Sequence, residues 1–178
     1  MESSAATHVL AALGLLSVLL SLPLAGWILR KPDLNAAALA EQLRCLIEAG
    51  DTKQALELSG SAPAAYCAIG LASVLGAWER GLRSRSGLAR AYHRATAGPR
   101  RVLGHLRFAG AIAFICAGAA IGLHFPLELE PPTWIWVIGG SGLVCSYVAI
   151  RKSVMIPQRS EEALAEVLEA LAEHPEPR

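Results

Sequence analysis

The densest run of small and polar side chains is Gly139-Gly140-Ser141-Gly142-Leu143-Val144-Cys145-Ser146. Gly139, Ser141, Cys145 and Ser146 are candidate pore-lining residues, because the two serine hydroxyls could offer oxygen to a passing water or ion. The competing reading is helix packing, in which small side chains let two backbones approach closely. A second cluster is Arg80, Arg83, Arg85, Arg90, Arg94, Arg100 and Arg101, seven cations with no acid between residues 80 and 101. Guanidinium groups at this density attract anionic lipid headgroups, on the order of 1 kcal/mol per basic residue at a surface. A solvated helix or loop is the plainer alternative. Nucleic acid is not an expected partner, since Tyr92 is the only Phe, Trp or Tyr in the run and base stacking uses several aromatics.

Other chemistry has little to work with. His8, His93, His105, His124 and His174 are scattered, and none has a carboxylate or thiol at metal-ligand spacing. The cysteines Cys45, Cys67, Cys116 and Cys145 form no CxxC pair and read as small buried hydrophobes. Neither a phosphate-binding glycine loop nor a nucleophile elbow is present. The expectation is a protein that is not an enzyme and holds no metal or cofactor.

Apolar segments must position the glycines and serines. The chain of 178 residues is 53% hydrophobic and 17% charged, against about 25% charged in a soluble domain. The shortfall is concentrated in residues 9–29, 108–125 and 134–150, none of which contains Asp, Glu, Lys or Arg. A helix crosses a bilayer with about 17–25 apolar residues, so each reads as a span. Gly110, Gly118 and Gly122 give the second span candidate helix-packing positions, with Gly118 and Gly122 at small-xxx-small spacing.

Flanking charges orient the spans. Arg30 and Lys31 follow the first, Arg100, Arg101 and Arg107 precede the second, and Arg151, Lys152 and Arg159 follow the third. Only Glu128 and Glu130 charge the connector 126–133. Basic flanks mark the cytoplasmic side, which places the N-terminus outside and the C-terminus in the cytoplasm. Residues 1–8 hold no Lys or Arg, so the first span reads as an anchor rather than a cleaved signal. Trp134 and Trp136 fall where an outer aromatic belt is expected.

The expected fold is all-α, with three transmembrane helices and a cytoplasmic helical segment. Residues 1–29 form the first span, and 30–107 the cytoplasmic segment with its basic stretch at 80–101. Residues 108–150 form a membrane hairpin, and 151–178 an amphipathic tail helix. Within the cytoplasmic segment, Pro32 to Asn35 breaks the first helix. Leu39, Leu43, Leu46 and Ile47 then mark a helix over 36–49. Gly50-Asp51 closes that helix and caps a short one over 52–59, and the turn at Pro63 leads into an apolar helix over 64–80. Ser160 followed by Glu161 and Glu162 predicts the start of the tail helix, whose stripe is Leu164, Val167, Leu168 and Leu171.

This layout resembles the MotA/TolQ/ExbB proton-channel family, in which an outward-starting span precedes a long cytoplasmic helical segment and a pair of spans. The local likeness covers residues 39–81. There a Leu-rich helix (Leu43, Leu46), the turn Gly50-Asp51, an Ala-x-x-Leu helix (Ala55, Leu58), Pro63 and an Ala-rich helix (Ala68 to Leu71) follow in the family's order. The resemblance implies a bacterial inner-membrane homo-oligomer, a pentamer, around a single-span partner carrying a membrane Asp. Departures fall within the spans. The second contains no Thr, and aligning Gly142-Leu143 with the family's Gly-Leu pair puts Gly139 at its Thr position. Those departures imply weakened or lost conduction. A structural membrane protein recruiting a partner or anionic lipid through its cytoplasmic helices is the alternative.

Overall fold

The computed structural model describes residues 8–20, 26, 35–62, 65–122 and 133–173, without the side chains of 133–135 and 138. The turns at Pro32 and Pro63, connector residues 126–132, His124, His174 and the Trp134 side chain lie outside the described residues. Every described element is a helix. These are α1 (His8–Leu20), α2 (Ala36–Glu48), α3 (Thr52–Gly60), α4 (Tyr66–Glu79), α5 (Arg85–Gly122) and α6 (Thr133–Glu173). By length and composition, α5 is the one described helix long and apolar enough to cross a membrane.

The chain divides into two compact units. One comprises Lys31–Val102 with Met155–Arg178, the other Met1–Arg30 with Leu103–Val154. The first is a helical bundle built from α2, α3, α4, the start of α5 and the end of α6. Gly50 turns at the end of α2 with φ of 81°, in the left-handed region that glycine enters at no steric cost. Asp51 then caps α3 by accepting a hydrogen bond from the Gln54 amide at 3.0 Å. Asn35 holds the N-cap position of α2 without a side-chain bond. The core gathers large apolar side chains at helical spacing: Leu39, Leu43 and Ile47 from α2, Leu71, Val74, Leu75 and Trp78 from α4, and Leu164, Val167, Leu168 and Leu171 from α6. Each such side chain contributes about 1.5–3 kcal/mol when withdrawn from water.

Two changes of composition fall inside helices rather than at their ends. The basic stretch and the second apolar span form one helix of 38 residues, α5, with Pro99 inside it. The third span and the tail also form one helix of 41 residues, α6, with Pro157 inside it. Ser160 therefore does not start a helix. It is buried within α6, and its hydroxyl is hydrogen-bonded to the Tyr92 hydroxyl.

Candidate functional site

The other unit is built from α1, α5 from Leu103 and α6 to Val154. Its interior follows a different rule from the bundle's. The buried positions include Leu10, Gly14 and Ser17 on α1, Gly110, Ala113, Ala117 and Ala120 on α5, and Gly139, Gly142, Ser146, Ala149 and Ser153 on α6. On α5 and α6 these recur every three or four residues and are all small; Leu103, where the unit begins on α5, is the one large buried side chain of these two helices among the unit's described residues. Large apolar side chains point the other way. Among the described residues, thirteen of the fifteen exposed large hydrophobics belong to this unit, including Phe108 at 69%, Ile115 at 68% and Val137 at 67%.

The glycines show how tightly the helices meet. A Cβ at Gly142 would stand 2.7 Å from Ser17 Oγ and 3.5 Å from Ala117 Cβ. At Gly139 it would stand 2.8 Å from Ile121 Cγ1, and at Gly110 3.2 Å from Ile150 Cγ1 and 3.6 Å from the Ser146 carbonyl oxygen. Ascending positions on α6 meet descending positions on α5, so the two run antiparallel.

These contacts sort the expected residues. Gly110 lies against Ser146, Ala149 and Ile150 of α6. Gly118 and Gly122 are exposed, and a Cβ at either would meet no atom within 4 Å. The packing stripe of α5 runs through 110, 113, 117 and 120, and the 100° step per residue turns 118 and 122 away from it. Of the pore candidates, Gly139 and Ser146 are buried, Gly139 against Ala117 and Ile121 of α5. Cys145 is half-buried, and Ser141 is exposed and remains on an outward face.

Ser17 and Ser153 each donate a hydroxyl to the carbonyl three residues earlier, at 2.7 Å in both cases. Ser146 Oγ, fully buried, has no hydrogen-bond partner among the described residues. An unmet buried hydroxyl costs about 1–3 kcal/mol. Ser146→Ala is therefore expected to raise the stability of the unit by about that amount, read as a higher melting temperature in detergent. A lower one would reveal a partner for the hydroxyl.

The seven arginines from Arg80 to Arg101 are all exposed. Some already have local contacts. Arg83 lies 3.9 Å over the Trp78 ring and donates to the Trp78 carbonyl. Arg90 Nε donates to the Ser86 carbonyl at 3.3 Å, and Arg100 approaches Glu161 at 3.7 Å. The opposite face of the same stretch is core: Leu88, Tyr92 and Thr96 are buried. Their four-residue spacing was the available signal for that face, masked by the surrounding charge.

Tyr92, Ser160 and Cys67 form a buried polar cluster that the sequence did not announce. Burial pushes the Cys67 thiol pKa up, with the Ser160 hydroxyl opposing. Burial raises Tyr92 as well, again opposed by Ser160. Iodoacetamide is expected to label exposed Cys45 in the folded chain and to spare Cys67 until the bundle unfolds, which peptide mass spectrometry reads directly. Equal labelling of both would contradict the buried cluster. The unfolded chain ionises these groups near 9.0 and 10.0, whereas the folded one holds their protons longer. Their contribution to stability is thus complete at neutral pH and declines as pH rises past those values.

Among the described residues, no three His, Cys, Asp or Glu side chains gather where they could hold a metal ion. No protein-family model, curated protein or solved structure matches the chain.

Proposed function

We propose that this chain is a three-span subunit of the bacterial inner membrane that assembles with its own copies into a MotA/TolQ/ExbB-like complex, with conduction weakened or lost, and that it is not an enzyme. The observation carrying this reading is the inverted burial of the α1–α5–α6 unit. In water, large apolar side chains turn inward, as they do in the bundle. In lipid they can face outward at no cost, and small residues take the interior because association there rests on close van der Waals contact. An exposed apolar surface this continuous otherwise marks an interaction site. The length and composition of α5 agree with a spanning helix. Exposed Trp136 agrees with an aromatic belt.

Assembly is favoured over transport. Two of the four pore candidates pack inside one chain, whereas Gly118 and Gly122 present their small-xxx-small spacing outward, where another copy could pack. The decisive measurement is native mass in mild detergent. A pentamer, at five times the 18.8 kDa chain mass, supports the proposal, and a stable monomer sinks it. Gly118→Leu with Gly122→Leu is expected to shift the oligomer to monomer while leaving the helical circular dichroism unchanged. An oligomer that survives both substitutions places the interface elsewhere. Co-purification of a single-span protein with an Asp in its span would extend the assembly to the expected partner.

The exposed arginines on α5 favour a second reading, in which the cytoplasmic helices chiefly recruit a partner or anionic lipid. In that case the chain remains in the membrane and the native mass is that of a monomer.

A further inference from the structure

The α1–α5–α6 unit contains no Asp or Glu among its described residues, and its Lys and Arg there are Arg107, Arg151 and Lys152. The helix register brings all three to one end. Gly110 packs on Ala149 and Ile150. Because α5 and α6 run antiparallel, stepping back three residues to Arg107 moves the same way as stepping forward along α6. At 1.5 Å rise per residue, Arg107 and Arg151 lie within about 3 Å of one level along the axis. Both are exposed. They also project differently: Arg151 lies opposite the packing stripe of α6, whereas Arg107 lies to one side of that of α5. Directly adjoining them is exposed apolar surface, with Phe108 next to Arg107, and Tyr147 and Val148 one turn before Arg151.

We infer that Arg107 and Arg151, with Lys152 beside them, form a collar that binds the phosphate groups of anionic phospholipids whose acyl chains lie on the adjoining apolar belt. The inference rests on the membrane reading above and assigns the lipid contact to residues outside the 80–101 run. Guanidinium groups suit phosphate because they present paired donors and keep their charge. A phospholipid matches both halves of this border, where a free anion would match only the basic half.

The test uses the full chain in a zwitterionic mild detergent, titrated with phosphatidylglycerol or phosphatidylcholine, with bound lipid counted by native mass spectrometry. Wild type is expected to retain phosphatidylglycerol preferentially. R107Q/R151Q should weaken that retention about thirtyfold, on the order of 1 kcal/mol per basic residue. R107K/R151K should keep most of the preference, and R44Q, in the bundle, should keep all of it. The wild-type preference should also fall on going from 0.1 to 1 M salt, as the screening length shrinks from about 10 to about 3 Å. That arm needs no variant to fold. Equal retention of the two lipids, an unchanged preference in a folded R107Q/R151Q, a salt-insensitive preference, or displacement by millimolar inorganic phosphate overturns the collar. A chain that inserts into phosphatidylcholine bilayers without preferring phosphatidylglycerol sinks the collar alone. Recovery of the chain in the aqueous phase sinks the membrane reading with it.

Discussion

Gly70→Val is expected to destabilise the bundle by about 3 kcal/mol or more. Gly70 sits on α4 where the Tyr92 ring lies against the backbone, in the space a Cβ would occupy, and that Cβ would also stand 3.0 Å from Thr96 Cγ2. The ring has no room to yield. Tyr92 is 1% exposed, and its hydroxyl is tied to Ser160. Gly70→Ala should cost less, because alanine regains about 1 kcal/mol of helix propensity over glycine. Urea unfolding measures both. The diagnostic experiment is the cycle with Tyr92→Ala, which opens the space: the valine penalty should shrink sharply in that background. Additive effects would mean that Gly70 and Tyr92 do not compete for one volume.

Val144→Arg is expected to divide the two environments open to the α1–α5–α6 unit. Val144 is 64% exposed on the outward face of α6. Within a bilayer, an arginine near the helix centre costs about 3 kcal/mol on insertion scales, more than a hundredfold in partition. The variant should then leave the carbonate-resistant membrane fraction, with little full-length protein remaining there. If the face met water instead, the same substitution would fall within about 0.5 kcal/mol of neutral and would improve solubility. Retention of the variant in a soluble, folded form would sink the membrane reading.

Much of the bundle was legible in the sequence. Leu39, Leu43 and Ile47 announced the buried face of α2 by their spacing, and Gly50-Asp51 announced both the end of one helix and the cap of the next. Local chemistry settles such features, and it is written in adjacent residues. The continuity of α5 and α6 was not legible. The changes from charged to apolar at Arg107-Phe108 and from apolar to charged at Ile150-Arg151 looked like element boundaries. Charge determines which solvent a helix surface meets, not whether its backbone hydrogen bonds continue. Pro157 and the favourable cap sequence at Ser160 reinforced the misleading boundary. The Ser160 hydroxyl is instead hydrogen-bonded to the Tyr92 hydroxyl, 68 residues away in the chain, a pairing that no local pattern announces.

Helical periodicity on α5 separates Gly110 from Gly118 and Gly122. Gly110, Ala113, Ala117 and Ala120 form an unbroken stripe of small residues, whereas the small-xxx-small pair draws the eye to a different face. Ser146 falls on the matching stripe of α6 with Gly139, Gly142, Ala149 and Ser153. Its spacing marks it for packing, as its neighbours' does. Ser141 lies outside that stripe and faces outward.

The small-residue interior also changes what folding costs the unit. Burying glycine or alanine forfeits no rotamer freedom, whereas each buried leucine or isoleucine gives up about 0.5–1 kcal/mol. Here the side chains with rotamers to lose are mostly those on the outside, such as Phe108, Ile115, Val137 and Val144. Under the proposed membrane placement, they meet fluid acyl chains and keep sampling their conformers after the helices have docked. The three helices thus surrender backbone freedom while retaining most of their side-chain entropy, and the modest dispersion gained between glycines and alanines has less disorder to overcome.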